Sequence, residues 1–289
     1  MKTRITILCE NTASIQGGLG EHGFSAYLET ERGIFLFDTG RGATLIPNLL
    51  TFGKDPRAIQ KIILSHGHHD HTGGFPAILE LVGDVEVWAH PDIFSIRYKL
   101  SRKGDKEIKR FVGMKFQRAY LESLGARFIL DKSYRTIVPG LDLTGEIPRR
   151  TAFETGDPGL VSEREGILIP DPIADDNSLV IDSPKGLVLV LGCAHSGLIN
   201  ILQYVLEKTG RDRLHAVIGG THLDFSSSTQ VDETIAALKK YRVERIGMGC
   251  YNPGVIGRHS RKAIRRSAAS KERRHIFPLS MTIVSVVCG

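Results

Sequence analysis

The chain has 289 residues, 41% hydrophobic and 24% charged, an ordinary globular composition that excludes a wholly disordered or collagen-like chain. The formal charge of +6 predicts affinity for anions, but it is uneven: residues 97–118 and 258–275 each carry net +7, leaving the rest at −8. Cys9, Cys193, Cys250 and Cys288 lie far apart with no C-x-x-C pair, which argues against a disulfide scaffold or a Cys-based zinc knuckle and fits a reducing compartment. No apolar run approaches the roughly 18 residues of a transmembrane helix. Residues 1–10 alternate like a strand and lack the apolar core of a signal peptide, so a cytoplasmic protein without membrane contact is expected.

In chain order, residues 4–9 read as a strand. Residues 24–28 and 34–37 predict two more, joined by the turn at 31–33. Asp55 before Pro56 marks an N-cap with proline at the first helical position. Residues 61–64 are a short apolar run that ends at a group of histidines. Thr72 is placed to cap a helix over 73–82, and a strand follows at 85–89. Ile108, Phe111, Val112, Phe116, Ala119 and Tyr120 recur at helical spacing and predict a helix over 105–124, ended by Gly125. Residues 126–183 read as strands and turns. Residues 179–182 and 187–191 flank Pro184-Lys185-Gly186 as a hairpin. Helices at 198–208 and 229–241, the second capped by Ser228, lead into strands at 214–218 and 243–248. The expected architecture is α/β: two sheets covered by helices in one domain over 1–289, with a helical insertion near 97–124 as a candidate lid.

The most informative stretch is Ile62-Ile63-Leu64-Ser65-His66-Gly67-His68-His69-Asp70-His71-Thr72-Gly73-Gly74, where four of the eleven histidines fall within six residues. In extended chain, positions i and i+2 point the same way, so His66 and His68 can present imidazoles to one point. Asp70 and His71 lie past a turn and can face a second point nearby. Neutral imidazole and carboxylate suit zinc, and also iron or manganese. His195 and His222 each follow an apolar strand, a position where ligands gather. His22 precedes a strand and is a candidate pocket residue. Asp38 ends one, where a carboxylate can orient a ligand histidine. His90, His215 and His275 stand in no such constellation and read as structural. Cys193 reads as strand-end packing, because no general base is implied beside it.

His66-Gly67-His68-His69-Asp70-His71, preceded by Phe37-Asp38-Thr39-Gly40, resembles the signature of the metallo-β-lactamase superfamily. Four further motifs are similar to those of its 7,8-dihydropterin-6-ylmethyl-4-(β-D-ribofuranosyl)aminobenzene-5′-phosphate synthase-like subgroup. They are Glu21-His22-Gly23-Phe24-Ser25, Asp175-Asp176-Asn177-Ser178-Leu179, Gly192-Cys193-Ala194-His195-Ser196-Gly197 and Gly219-Gly220-Thr221-His222-Leu223. The resemblance implies a four-layer αβ/βα sandwich holding one or two ions, zinc (Zn2+) first, with iron or manganese as alternatives. It implies that His66, His68 and His195 bind the first ion and that Asp70 and His71 bind the second. His222 or Asp224 would take the bridging role. The superfamily's last ligand, a histidine after the final core strand, falls on Gly249. His222, Cys250 or His259 then completes the second site, or the second ion is weak or absent.

The activity implied is that of a hydrolase using a metal-bound hydroxide, with Asp70 or another carboxylate taking up the proton. The basic excess and the subgroup favour an anionic, phosphate-bearing small molecule as substrate. Two rival readings stand beside it. The departure at Gly249 suits a metal-bound sensor or ligand-binding protein on the same scaffold. The two +7 segments suit a nuclease, although 258–275 holds no aromatic residue to stack on bases.

Overall fold

A computed structural model describes residues 1–13, 16–223 and 226–249, together with the strands His275–Pro278 and Ile283–Val286. Two seven-stranded sheets form its frame. The first runs, in spatial order, Ile283–Val286, Thr3–Cys9, Ser25–Thr30, Gly33–Phe37, Ile59–Ile63, Val85–Ala89 and Ala126–Leu130. The second runs His275–Pro278, Arg245–Gly249, Leu214–Gly220, Gly186–Leu191, Ser178–Ser183, Leu141–Leu143 and Arg135–Val138.

Both faces of each sheet are covered, so the central strands are apolar along their whole length. Alternation then sends neighbours into different cores. Phe35 and Phe37 pack between the sheets, whereas Leu36 points outward. Ile63 faces inward, and Ile62 and Leu64 face outward. In the second sheet Val188 and Val190 join the inter-sheet core, while Leu187, Leu189 and Leu191 face the other way. The helices Leu45–Thr51, Phe75–Val82 and Arg118–Ser123 bury Leu45, Leu49, Phe75, Ile78, Leu79 and Leu121 against the first sheet's outer face. Leu198–Thr209 and Ser228–Lys240 cover the second sheet. The result is the four-layer αβ/βα sandwich.

The segment 97–124 departs from the helix predicted there. Ile96–Lys103 and Lys106–Phe111 form an antiparallel hairpin with Lys103 opposite Lys106. They join Leu160–Arg164 and Ile167–Pro170 in a third, four-stranded sheet. Only Arg118–Ser123 is helical. The two-residue turn Gly104-Asp105, with Gly104 at φ +61°, is a hairpin signal stronger than the helical spacing. Pairing of Ile96–Lys103 with Leu160–Arg164 supplies the tertiary support. The apolar positions between 108 and 120 are thus divided: Ile108 and Phe111 lie in the strand, Val112 and Phe116 in the connection, and Ala119 and Tyr120 in the helix.

Two caps also shift. Thr72 ends the one-turn helix His69–Thr72 and donates from Oγ1 to the His68 carbonyl at 3.0 Å; Gly74 precedes Phe75–Val82. Ser227, not Ser228, caps the later helix by accepting from the Gln230 N–H. Among the described residues, no helix is long and apolar enough to cross a membrane.

Candidate metal centre

The histidine loop leaves the first sheet at the end of Ile59–Ile63 and is fixed from two directions. Asp38, at the end of Gly33–Phe37, accepts from the Ser65 N–H at 2.7 Å and from Ser65 Oγ at 2.6 Å. Its φ of +58° is a conformation that aspartate tolerates better than most residues. From the other side, Asp175 Oδ2 accepts from the Gly67 N–H at 2.8 Å. The same carboxylate takes Arg97 in a bidentate pair, Nη1 at 2.8 Å and Nη2 at 2.7 Å, while Arg97 Nε reaches Asp171 at 2.8 Å. Arg97 is only 1% exposed. Burial works against its charge, yet Asp175 and Asp171 outweigh burial and raise its pKa. A Cβ at position 67 would lie 2.2 Å from the Ile93 carbonyl oxygen, so the loop needs glycine there.

The second sheet contributes from the end of Gly186–Leu191. A Cβ on Gly192 would sit 2.2 Å from Ser65 Oγ, so glycine lets the two sheet ends meet. The chain then turns through Ala194 at φ +53° to His195. Three contacts hold that turn. Arg149 Nη1 donates to the His195 carbonyl at 3.0 Å, the Ser196 N–H donates to Asp176 Oδ2 at 2.7 Å, and Glu154 accepts from Ile199 N and Asn200 N at the start of the following helix.

These supports bring His66, His68 and His195 together, with one donor atom from each within 4.8 Å of the others. His66 Nε2 and His68 Nδ1 are 3.0 Å apart. His195 Nε2 is buried with no hydrogen-bond partner. Two adjoining triads meet the same distance limit: His66, His71 and Cys193, and Cys193, His195 and His222. His71 is oriented by Asp38, whose Oδ2 lies 2.7 Å from Nδ1, and its Nε2 faces Cys193 Sγ at 3.2 Å.

Asp70 belongs to none of these triads. Its Oδ2 lies 3.3 Å from His22 Nε2 and 3.9 Å from His71 Nε2, and the His22 side chain is more than half exposed. Asp224, Cys250 and His259 lie outside the described residues. Sequence reading assigned Cys193 to packing. Its place two residues before His195 in Gly-Cys-x-His was the signal that could have drawn it into the site. His90 and His215 bond to Glu146 and Glu244, away from the cluster.

Burial sets the electrostatics. It pulls His66 and His195 well below the ordinary histidine range, helped by the neighbouring imidazoles, and takes His68 down to about 3. These rings are neutral at neutral pH, with nitrogen lone pairs available. At Asp70 burial opposes the charge, but His71, His68 and His22 outweigh it and hold the carboxyl below its usual value. The donor set of buried neutral imidazoles, with the orphaned His195 Nε2 among them, fits a transition-metal ion. Replacing Asp38 with asparagine should leave the fold intact but release His71 from its orientation. Metal titration should then show affinity weakened by about 10- to 100-fold.

A family model of the metallo-beta-lactamase superfamily matches residues 19–246. The chain belongs to that superfamily. It is 33% identical over 244 residues to the 7,8-dihydropterin-6-methyl-4-(beta-D-ribofuranosyl)-aminobenzene-5'-phosphate synthase of Methanocaldococcus jannaschii, covering 79% of this chain and 80% of that one. A crystal structure of a metal-dependent hydrolase of the beta-lactamase superfamily matches over 97% of both chains, with a TM-score of 0.79 and 25% identity. The metallo-beta-lactamase fold protein YhfI from Bacillus subtilis shares the fold at 11% identity, with a TM-score of 0.52 over 92% of this chain and 94% of that one.

Proposed function

We propose that the protein is a metal-dependent hydrolase of a phosphate-bearing small molecule. In this reading zinc is held by His66, His68 and His195, and a second ion by Asp70, His71 and His222. The observation that carries it is the convergence of three buried, neutral imidazoles from the ends of two sheets. When bound, zinc supplies Lewis-acid charge and lowers the pKa of water to about 7. The chain's own groups bind, orient and move protons. Asp38 fixes the His71 ring, and Asp175 fixes the loop that carries His66 and His68. Asp70 is the proton acceptor, and His22, 3.3 Å away and open to solvent, passes the proton outward.

A cavity of about 570 Å³ opens beside His195 and His222, lined among others by Lys99, Asp157, Thr229 and Gln230. Lys99 reaches this wall already paired with Asp157, so the part suited to a phosphate is the first turn of Ser228–Lys240, with the N–H groups of a helix N-terminus. The name of the Methanocaldococcus relative, a 5'-phosphate synthase, supports the same substrate class. The hairpin 96–111, which carries Lys99 to this wall, is the candidate lid. The zinc-loaded protein should hydrolyse a phosphomonoester or phosphodiester, and a chelator should stop it. Full metal occupancy without turnover on phosphate esters, lactones and thioesters would overturn the hydrolase in favour of a ligand-binding protein, the reading that Gly249 suits. Turnover confined to nucleic acid, with binding that weakens steeply as salt rises, would instead identify a nuclease.

A further inference from the structure

We infer that Cys193 is a sulfur ligand of the metal centre and supplies the donor that Gly249 lacks. The inference rests on the metal reading above and adds a donor of different chemistry to it. Cys193 is buried and common to two of the three triads, one with His66 and His71, the other with His195 and His222. Its Sγ lies 3.2 Å from His71 Nε2. Zinc bonds of about 2.0 Å to nitrogen and about 2.3 Å to sulfur set a tetrahedral N···S edge of about 3.5 Å, close to that separation. A second observation points to the same spot. His195 Nε2, on a residue only 8% exposed, has no hydrogen-bond partner and shares a triad with Cys193.

Topology explains why a residue on this strand end can stand in. Gly186–Leu191, Leu214–Gly220 and Arg245–Gly249 run parallel as neighbours, with Leu191 level with Gly219 and Gly220 level with Gly249. The last-histidine position and Cys193 therefore lie at the same edge of the sheet, on either side of the strand leading to His222. Gly249 has no side chain to send inward, whereas Cys193 already has its sulfur beside His71. Metal uptake would release the thiol proton to solvent and leave a thiolate on the ion. A soft sulfur donor shifts the site's preference toward zinc over manganese.

Cobalt-substituted protein should show a thiolate-to-cobalt charge-transfer band in the near ultraviolet. The zinc protein should show a sulfur shell at about 2.3 Å in X-ray absorption. Cys193→Ser should abolish both signals, while Cys250→Ser and Cys288→Ser keep them. Metal uptake without a sulfur signal, or a signal that survives Cys193→Ser, overturns the sulfur ligand and leaves the histidine site standing. Failure to take up zinc or cobalt at all overturns both readings. Should Cys193→Ser not fold, X-ray absorption on the protein carrying Cys250→Ser and Cys288→Ser decides, because of the two cysteines it keeps, Cys9 joins none of the triads. A sulfur shell there supports Cys193, and its absence overturns it.

Discussion

Replacing His66 and His68 together with alanine is expected to abolish metal binding at the first site and with it the activity. Lewis-acid stabilisation is worth several kcal/mol and each 1.36 kcal/mol is tenfold in rate, so kcat/KM should fall by about 1,000-fold or more. Both rings are buried and neutral in the wild type, with His66 Nε2 3.0 Å from His68 Nδ1. A bound ion would take up the nitrogen lone pairs that converge there. Metal should therefore also stabilise the fold, by about 2.7 kcal/mol when present at 100 times its Kd. The measurement that separates this from simple damage is thermal melting with and without chelator. Wild-type Tm should drop when metal is stripped, and the double variant should shift far less between the two conditions. Full turnover by the double variant would remove the metal from the mechanism.

Much of this site was legible because its chemistry is contiguous in sequence. His66, His68, Asp70 and His71 lie within six residues after an apolar strand, so a local rule suffices to group them. The layers were legible too, because residues 35–37 and 187–191 alternate between two cores. What sequence reading missed depends on distant contacts. Arg97 counts in a +7 segment, yet it is fully buried against Asp171 and Asp175, more than 70 residues away. Lys99 pairs with Asp157, and Lys109 pairs with Glu163 while standing 3.8 Å over the Tyr98 ring. Four of the nine basic residues in the first arm, Arg97, Lys99, Lys109 and Arg118, are thus paired with acids from the −8 remainder, so the charge free to meet an anion there is smaller than +7. The helix predicted over 105–124 failed for a related reason. Spacing alone does not register that Ile96–Lys103 has a partner strand at Leu160–Arg164.

Asp175→Ala should be among the most damaging changes outside the ligands. It removes a buried carboxylate that accepts two bonds from Arg97 and one from the Gly67 N–H. Burial raises the pKa of this carboxyl even though Arg97 and the Gly67 N–H oppose it, while Asp175 and Asp171 together hold the charge on Arg97. Removing Asp175 leaves Arg97 with Asp171 as its remaining acid, so the loss should approach but not exceed the about 3–5 kcal/mol of a fully broken buried pair and should appear as a fall in Tm. Metal affinity should fall as well, because Gly67 loses the anchor between His66 and His68. The two effects can be pulled apart. Replacing the pair together, Arg97→Met with Asp175→Leu, removes both of its charges and should recover part of the lost stability, since apolar groups of similar volume often match a buried ion pair, although Asp171 loses its Arg97 partner. It cannot restore an acceptor to the Gly67 N–H. The double variant is therefore expected to melt above Asp175→Ala yet remain impaired in zinc binding. Recovery of both together would show that Asp175 acts through stability alone and has no positioning role at the histidine loop.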